Sequence, residues 1–409
     1  MSSLQLSNEM TKNSTTYKQC NRCVMDTTDL EITFDANGYC NHCIKFFRKR
    51  PKFTYQGKES DEALEKIIKQ IKRAGRGKEY DCIIGLSGGI DSSYTIYVAK
   101  QKGLRILAVH MDNGWDSKEA VTNIKNIVNK LGVDYESYVI DWEEFKDLQL
   151  SFLKASVPEA ETPTDMLILS ALHYFAAKYN VKYIIGGGNF VTEGILPKSW
   201  HYNAKDLKYF NHIQKTFGGK RLKKISTFGV KTEMYYKLIK NIKMVYLLRY
   251  VPFTKAEAMK ILKENLDWKP YGGKHHESIY TKFVQSYYLY EKFQIDYRRS
   301  TLSSEICSGE SNYDDAIEQL KSKPYDLVGI EEQKQYISKK LDVPADEFER
   351  ILRLPPKWYW DYPNDSKRLG FIYDTYKEFF GEEKLVFSKN ARNFVYKLFL
   401  RLVILAVYI

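Results

Sequence analysis

Apolar residues recur at three- and four-residue steps through Ser60–Arg73, where Leu64, Ile67, Ile68 and Ile71 share one face and predict an amphipathic helix. Ser60, Asp61 and Glu62 suit its N-terminus, and the Gly-Arg-Gly stretch at 75–77 ends it. From Tyr80 the pattern changes to short apolar runs separated by helical stretches. Tyr80–Leu86, Arg105–Met111, Tyr135–Ile140 and Lys182–Ile185 predict strands; Tyr94–Lys100, Lys118–Leu131 and Asp165–Tyr179 predict helices. Alternating strands and helices imply βαβ units, an α/β fold whose parallel sheet is covered on both faces. Ligands of such sheets sit beyond the carboxyl ends of the strands. The loops 87–93, 112–114 and 186–189 each follow a predicted strand, so they are expected to converge on one sheet edge. Beyond about Val251 strand signals fade, and Lys255–Glu264, Ile279–Phe293, Tyr313–Leu320, Glu331–Lys340 and Ala345–Leu354 read as helices.

The loop Ser87-Gly-Gly-Ile-Asp-Ser-Ser93 lies between the first strand and the next helix. Gly88 and Gly89 let successive N–H groups point into one concavity, and the helix behind them offers its N-terminus to the same place. Ser87, Ser92 and Ser93 add hydroxyl donors. Asp91 is a poor neighbour for bare phosphate but a good ligand for a Mg2+ ion that bridges it. No GxxxxGK[ST] sequence is present, so transfer of a γ-phosphoryl group is not the expected chemistry.

Six cysteines in 409 residues do not make a disulfide scaffold. Four of them form two Cys-x-x-Cys units, Cys20/Cys23 and Cys40/Cys43, with 16 residues between. That is zinc-ribbon spacing, and four thiolates close the coordination sphere of a structural Zn2+. His42 is expected to be exposed rather than a ligand. Hydrophobic content of 44% and aromatic content of 14% exclude a largely disordered chain and leave only residues 1–15 open to disorder. The net charge of +12 favours anionic partners without choosing among polyphosphates, acidic sugars, nucleic acid and membrane surfaces. No secretory signal pattern opens the chain, so a cytoplasmic location is expected. The apolar run from Phe394 carries Lys397 and Arg401 and is too short to span a bilayer; a buried terminal helix is expected, with a peripheral membrane or partner contact as the alternative. The organisation expected is a zinc-ribbon module over 16–50, a linker helix over 51–78, an α/β domain over 79–250 and a mostly helical region for substrate or partner over 251–409.

The loop resembles the PP-loop of the N-type ATP pyrophosphatases, whose fold is adenine nucleotide alpha hydrolase-like. There the loop grips the β,γ-pyrophosphate as a leaving group while AMP passes to a substrate oxygen. The resemblance implies ATP and Mg2+ as cofactors, with His110 to Asn113, Asp112 included, beside adenosine. Gly188 and Asn189, with Glu193, match a later nucleotide-facing loop. The segment CNRCVMDTTDLEITFDANGYCNHC, the PP-loop, Thr162-Pro-Thr-Asp165, YGGKHHES (271–278) and DYRRSTLSSEICSG (296–309) together resemble the bacterial N-acetyl sugar amidotransferases of surface-polysaccharide and nonulosonic-acid biosynthesis, over residues 18 to about 365.

That resemblance implies conversion of an N-acetyl group on a nucleotide sugar or sialic-acid-like sugar to an acetamidino group. An amide carbonyl is a weak electrophile whose oxygen leaves poorly. Placing AMP on that oxygen gives an O-adenylated imidate that ammonia can attack. With no recognisable glutaminase segment in the chain, a separate glutaminase subunit like that of histidine biosynthesis is implied. Asp91 and Ser87 are the catalytic candidates in the loop, joined by Lys274, His276 and Glu277. His275, Arg298 and Arg299 are candidates for substrate contacts, arginine being suited to carboxylates and phosphates. The rival reading is a tRNA-thiolating enzyme with the same loop and ribbon. It needs a reactive cysteine near the nucleotide, and only Cys82, expected in a buried strand, and Cys307 are left over. Zinc ribbons often bind nucleic acid, but the sugar reading makes a nucleic-acid partner unexpected.

Overall fold

The computed structural model describes residues 17–55 and 57–380. The expectations for residues 1–15 and for the apolar run 394–409 lie outside the described residues. Five parallel strands, β1 (Cys82–Gly85), β2 (Ile106–Asp112), β3 (Asp134–Val139), β4 (Tyr183–Gly186) and β5 (Lys243–Tyr246), form one sheet in the order β3-β2-β1-β4-β5. The α/β expectation is met, and the direction of winding reverses between β1 and β4. A crevice opens at such a switch point, beyond the strand ends.

Side-chain alternation explains why both faces are covered. Ile83 of β1 and Ile184 of β4 pack with Leu172 and Phe175 of a helix on one face. Cys82, Ile84 and Ile185 point the opposite way, into a core that also holds Ile68, Ile96 and Ile124. Each such fully buried aliphatic side chain contributes roughly 2 kcal/mol. The helices concerned are α1 (Asn41–Phe53), α2 (Gly57–Ala74), α3 (Ile90–Gln101), α4 (Lys118–Leu131), α5 (Trp142–Ala155) and α6 (Thr162–Lys178). Helix α6 runs back toward the start of β4, so its N-terminus lies at the same sheet edge as the β1–α3 loop.

Beyond β5 the described chain is helical, as expected, with helices over Lys255–Leu266, Ile279–Phe283 and onward to Phe293, Arg298–Ser308, Tyr313–Leu320, Gly329–Lys340 and Ala345–Leu352. Several elements go beyond the sequence expectation, helices over Leu207–Phe217 and Ser366–Phe380 among them, and three show why. Strand β5 is a four-residue edge strand whose Tyr246 is 48% exposed, so it carries little alternation. Helix α5 is capped by Asp141, whose side chain accepts from the Glu144 N–H at 3.1 Å. The helix Arg298–Ser308 buries Ser300, Ser303 and Ser304, and that serine-rich buried face gives it no apolar stripe. No helix among the described residues is long and apolar enough to cross a membrane.

Candidate active site

The β1–α3 loop is tight because its glycines allow it. Gly88 has φ +77°, and a Cβ there would stand 2.6 Å from the Ala120 carbonyl oxygen. Its own carbonyl accepts from Trp268 Nε1 at 3.0 Å and Asn123 Nδ2 at 3.2 Å, which pins the loop from outside. Across the switch point Gly187 comes so close to α3 that a Cβ would lie 3.0 Å from the Ser92 N and Cα. Helix α3 starts at Gly89 with no side-chain cap. The Ser87 N–H donates to Ser92 Oγ at 3.2 Å, and the Tyr271 hydroxyl accepts from the Ile90 N–H at 3.0 Å. These contacts form the wall of a cavity of about 700 Å³ that opens between the ends of β1 and β4. That volume is ordinary for a nucleotide-sized ligand.

The loop meets the 271–278 segment inside this cavity. Lys274 Nζ lies 3.0 Å from Glu193 Oε1 and 3.7 Å from Asp91 Oδ2, and donates to Thr192 Oγ1 at 2.6 Å. Asn189 ties the two carboxylates together: its Nδ2 donates to Asp91 Oδ1 at 3.2 Å and its backbone N–H to Glu193 Oε2 at 3.1 Å. Burial raises both carboxyls, but the Lys274 charge and the hydrogen bonds from the Asn189 N–H and Lys274 outweigh it at Glu193, which ends below the usual range. Asp91 stays raised, by burial first, with Lys274 only partly offsetting it and Glu193 adding to it. Lys274 therefore serves mainly Glu193, and Asp91 is left short of positive charge beside the phosphate loop. A Mg2+ ion on Asp91 fits that deficit.

Glu277 faces the loop from the other side. Its Oε1 accepts from Ser87 Oγ at 3.4 Å, its Oε2 is buried without a hydrogen-bond partner, and burial pushes it up to about 7. His110 Nδ1 contacts the Leu86 carbonyl at 2.9 Å and Nε2 contacts Asp116 Oδ2 at 2.9 Å. Both partners accept, so the ring donates twice as an imidazolium. Burial alone would lower its pKa, yet Asp116 raises it overall. His275 lines the cavity at φ +62°, and burial and then Lys274 push it down to about 4, so it is neutral at pH 7.

Several sequence candidates stand apart from the cavity lining. Gly88, Ser93, Asp112 and Asn189 shape the wall from behind, Asp112 by accepting from the Gly114 N–H at 2.9 Å. His276 Nδ1 accepts from the Gly273 N–H at 3.0 Å, which makes it a turn residue. The two arginines are corrections. Arg298 is spent on Asp296 (2.6 Å) and the carbonyls of Gln319 and Ser322, and Arg299 on Asp26 (3.0 Å) and the Val24 carbonyl (2.7 Å). Their forks are filled by protein acceptors, so neither is available for substrate in this arrangement. Conversely, Tyr271, Asp116, Glu159, Glu161, Asp165 and Trp200 line the cavity and were not among the site candidates. Thr162-Pro-Thr-Asp165 and YGGKHHES, which opens at Tyr271, are the visible signals for that group; Trp200 has none.

Cys20, Cys23, Cys40 and Cys43 are all buried, with their sulfurs within 4.8 Å of one another. Cys20 and Cys43 Sγ are 3.8 Å apart, and Cys23 and Cys40 Sγ 3.5 Å. Tetrahedral Zn–S bonds of about 2.3 Å put sulfurs about 3.8 Å apart, so the donor set fits Zn2+. The N–H groups of Arg22 and Cys40 point at Cys20 Sγ (3.4 and 3.2 Å), as thiolate ligands require. His42 is not exposed as expected: its side chain is 14% exposed and lies 2.5 Å from Asp29 Oδ2. Asp29 in turn accepts from Ser199 Oγ at 2.7 Å. His42 thus supports the ribbon's contact with the cavity wall. Neither leftover cysteine lines the cavity. Cys82 is buried in β1, and Cys307 is buried in the helix behind the ribbon, where its carbonyl meets Arg50.

A parallel sheet with this switch-point loop defines a PP-loop, ATP-utilising enzyme. Residues 81–197 match the family model of queuosine biosynthesis protein QueC, and residues 277–378 match that of the LPS biosynthesis protein WbpG-like, C-terminal domain. The chain is thus similar to a PP-loop family over its α/β part and to the WbpG-like proteins over residues 277–378. It is 26% identical over 229 residues to an uncharacterized protein of Methanocaldococcus jannaschii, covering 55% of this chain and 73% of that one. A tRNA-specific 2-thiouridylase MnmA of Fusobacterium nucleatum is 26% identical over 140 residues, 31% of this chain and 40% of the relative, so the chain spans less than half of that enzyme. Among solved structures, an NH3-dependent NAD synthetase from Campylobacter jejuni has 18% identity and a TM-score of 0.28, covering 50% of this chain and 84% of that one.

Proposed function

We propose that the protein is an ATP-dependent amidotransferase that converts an N-acetyl group on a sugar to an acetamidino group, releasing AMP and pyrophosphate. The observation that supports this most is that one cavity joins the two matched segments. Ser87, Gly89, Asp91 and Ser92 form one wall, and Glu277, Ser278, Thr281 and Gln285, from the start of the WbpG-like segment, form another. Bound ATP supplies the leaving group that an amide oxygen lacks. On this reading the α3 N-terminus and the loop serines hold the pyrophosphate end, and Asp91 holds the metal. Lys274, paired with Glu193, would add a positive charge beside Asp91. Glu277, poised near neutrality, takes the proton that ammonia sheds on attack. Ammonia comes from a separate glutaminase subunit, which keeps it neutral until it reaches the cavity. Thiolation is the less favoured reading because neither Cys82 nor Cys307 reaches the cavity.

The test is to incubate the protein with MgATP, an ammonium salt and a panel of N-acetylated sugars carrying 18O in the acetyl group. The expected products are an amidine-bearing sugar and AMP that has gained the label. AMP formed only when tRNA is present, with every sugar unchanged, would replace this reading with RNA modification.

A further inference from the structure

The span 270–276 lies against the PP-loop as a strap tied down at both ends. Upstream, the Lys269 N–H donates to Asn123 Oδ1 at 2.7 Å and the Lys269 carbonyl accepts from Asn123 Nδ2 at 2.8 Å. Asn123 is fully buried on α4, so this anchor belongs to the α/β core. Downstream, the Glu277 carbonyl accepts from the Ser117 N–H at 2.8 Å, and the Ile279 N–H donates to the Trp115 carbonyl at 2.8 Å. These two bonds flank an antiparallel bridge between Asp116 and Ser278. Between the anchors no helix or strand forms, and the chain bends through Gly272 at φ +96° and His275 at φ +62°. Both values lie in the left-handed region, which turns a chain sharply and builds no hydrogen-bond ladder.

What holds the strap to the PP-loop is one hydroxyl. Tyr271 accepts there from the N–H of Ile90, the first residue of α3. That N–H is among the donors a phosphate at this helix start would take. The two acceptors compete, and their strengths differ. Burial, and then the Glu277 charge, hold the Tyr271 phenol above its ordinary pKa, so the oxygen on Ile90 is that of a neutral hydroxyl. A bond to a phosphate oxygen is charge-assisted and roughly twice as strong. A pyrophosphate group therefore takes the Ile90 N–H, and the Tyr271 hydroxyl gives way. Lys274 and His275 ride on the same span, with Lys274 Nζ 3.0 Å and His275 Nε2 3.7 Å from Glu193 Oε1.

We propose that Tyr271 is a positioning residue that latches the strap 270–276 to the start of α3, and that a pyrophosphate group, as carried by ATP, opens the latch. Arrival of the nucleotide then frees Lys274 and His275 to rearrange. The latch requires only that the PP-loop holds pyrophosphate. That the freed groups serve a sugar acceptor rests on the amidotransferase reading.

The test is amide hydrogen exchange of the full chain, read in peptides that span 270–276. Three conditions are compared: no added ligand, inorganic pyrophosphate with Mg2+, and adenosine. Pyrophosphate speeds exchange in the strap and adenosine does not. Tyr271→Phe, which keeps the ring and removes the hydroxyl, exchanges fast in all three conditions. Calorimetric titration shows that this variant binds pyrophosphate about three- to tenfold more tightly than the parent, because no hydroxyl competes for the Ile90 N–H. A melting temperature checks that the variant folds, and the ligand comparison on the parent stands without it. Strap exchange that pyrophosphate slows or leaves unchanged, or that adenosine speeds equally, overturns the proposal. So does a folded variant that binds pyrophosphate no more tightly. A strap released by pyrophosphate in a chain that passes no label from sugar to AMP would sink the amidotransferase reading and leave the latch standing. Label transfer by a chain whose strap ignores pyrophosphate would do the reverse.

Discussion

Glu277 Oε1 accepts a hydrogen bond from Ser87 Oγ at 3.4 Å, and this contact joins the WbpG-like segment to the PP-loop 190 positions earlier in the chain. A Cβ on Gly89 would stand 2.6 Å from Glu277 Oε1, so a side chain there would displace the acid. An acid held near neutrality thus lies within a hydroxyl's reach of the PP-loop.

The first prediction follows from that placement. Glu277 titrates near 7 because burial disfavours its charged form. If it accepts the ammonia proton, kcat/KM with ammonium rises with pH through about 7. Glu277→Gln should lower turnover about 100-fold or more and remove that limb, with ATP affinity little changed. The pH–rate profile of both proteins checks it; an unaltered limb in the variant would free Glu277 of the role.

Asp91 and Lys274 make a second prediction, because they share one carboxylate neighbour. Asp91→Asn keeps the Asn189 contact but loses the charge a metal needs, so pyrophosphate release should fall about 100-fold or more and no longer respond to Mg2+ concentration. Lys274→Ala removes the cation that holds Glu193 ionised. Its loss should be partly rescued by raising Mg2+, since the freed acids bind the ion more readily. Titrating Mg2+ in both variants separates ligand from neighbour.

How much of this was legible beforehand differs by residue. The PP-loop was readable because Gly88, Gly89 and Asp91 are contiguous and follow an apolar run. The ribbon was readable because its ligands come in spaced pairs. The first four strands and the long helices announce themselves by period. Arg298 and Arg299 misled because a sequence shows that a guanidinium is present but not what fills its fork; here Asp296 and Asp26 do. Trp200 and Glu159 are invisible because a buried atom left open, the Trp200 N–H or Glu159 Oε1, is a property of tertiary packing. His42 looked spare, since nothing local says that Asp29 is folded back onto it.

Glu159 supports a stability prediction. Burial lifts it from 4.5 to about 8. Between those values the folded chain holds a proton that the unfolded chain has lost, so stability falls as pH rises through that window. Glu159→Gln removes the titration and should gain on the parent above pH 8, by on the order of 5 kcal/mol at most. Melting temperatures from pH 5 to 9 should converge for the two proteins at the acid end and diverge at the alkaline end. Parallel curves would mean that water already solvates Glu159.

The ribbon's packing makes the last prediction more than a matter of local folding. Phe46, three residues past Cys43, stacks on Phe190 at 4.6 Å, and a Cβ on Gly194 would collide with the Phe46 ring. Asp29 meets Ser199, next to Trp200. The ribbon therefore backs the segment 190–200 that carries Thr192, Glu193 and Trp200 into the cavity. Structural zinc contributes folding free energy to its module. Cys20→Ser, or chelation, should remove the zinc and lower the melting temperature. It should also raise the KM for both substrates, because the wall behind Glu193 and Trp200 loses its support. Phe46→Ala should reproduce the KM effect while retaining zinc, measured by metal analysis of the purified protein. A zinc-free chain with unaltered KM values would show that the ribbon folds independently of the cavity it touches.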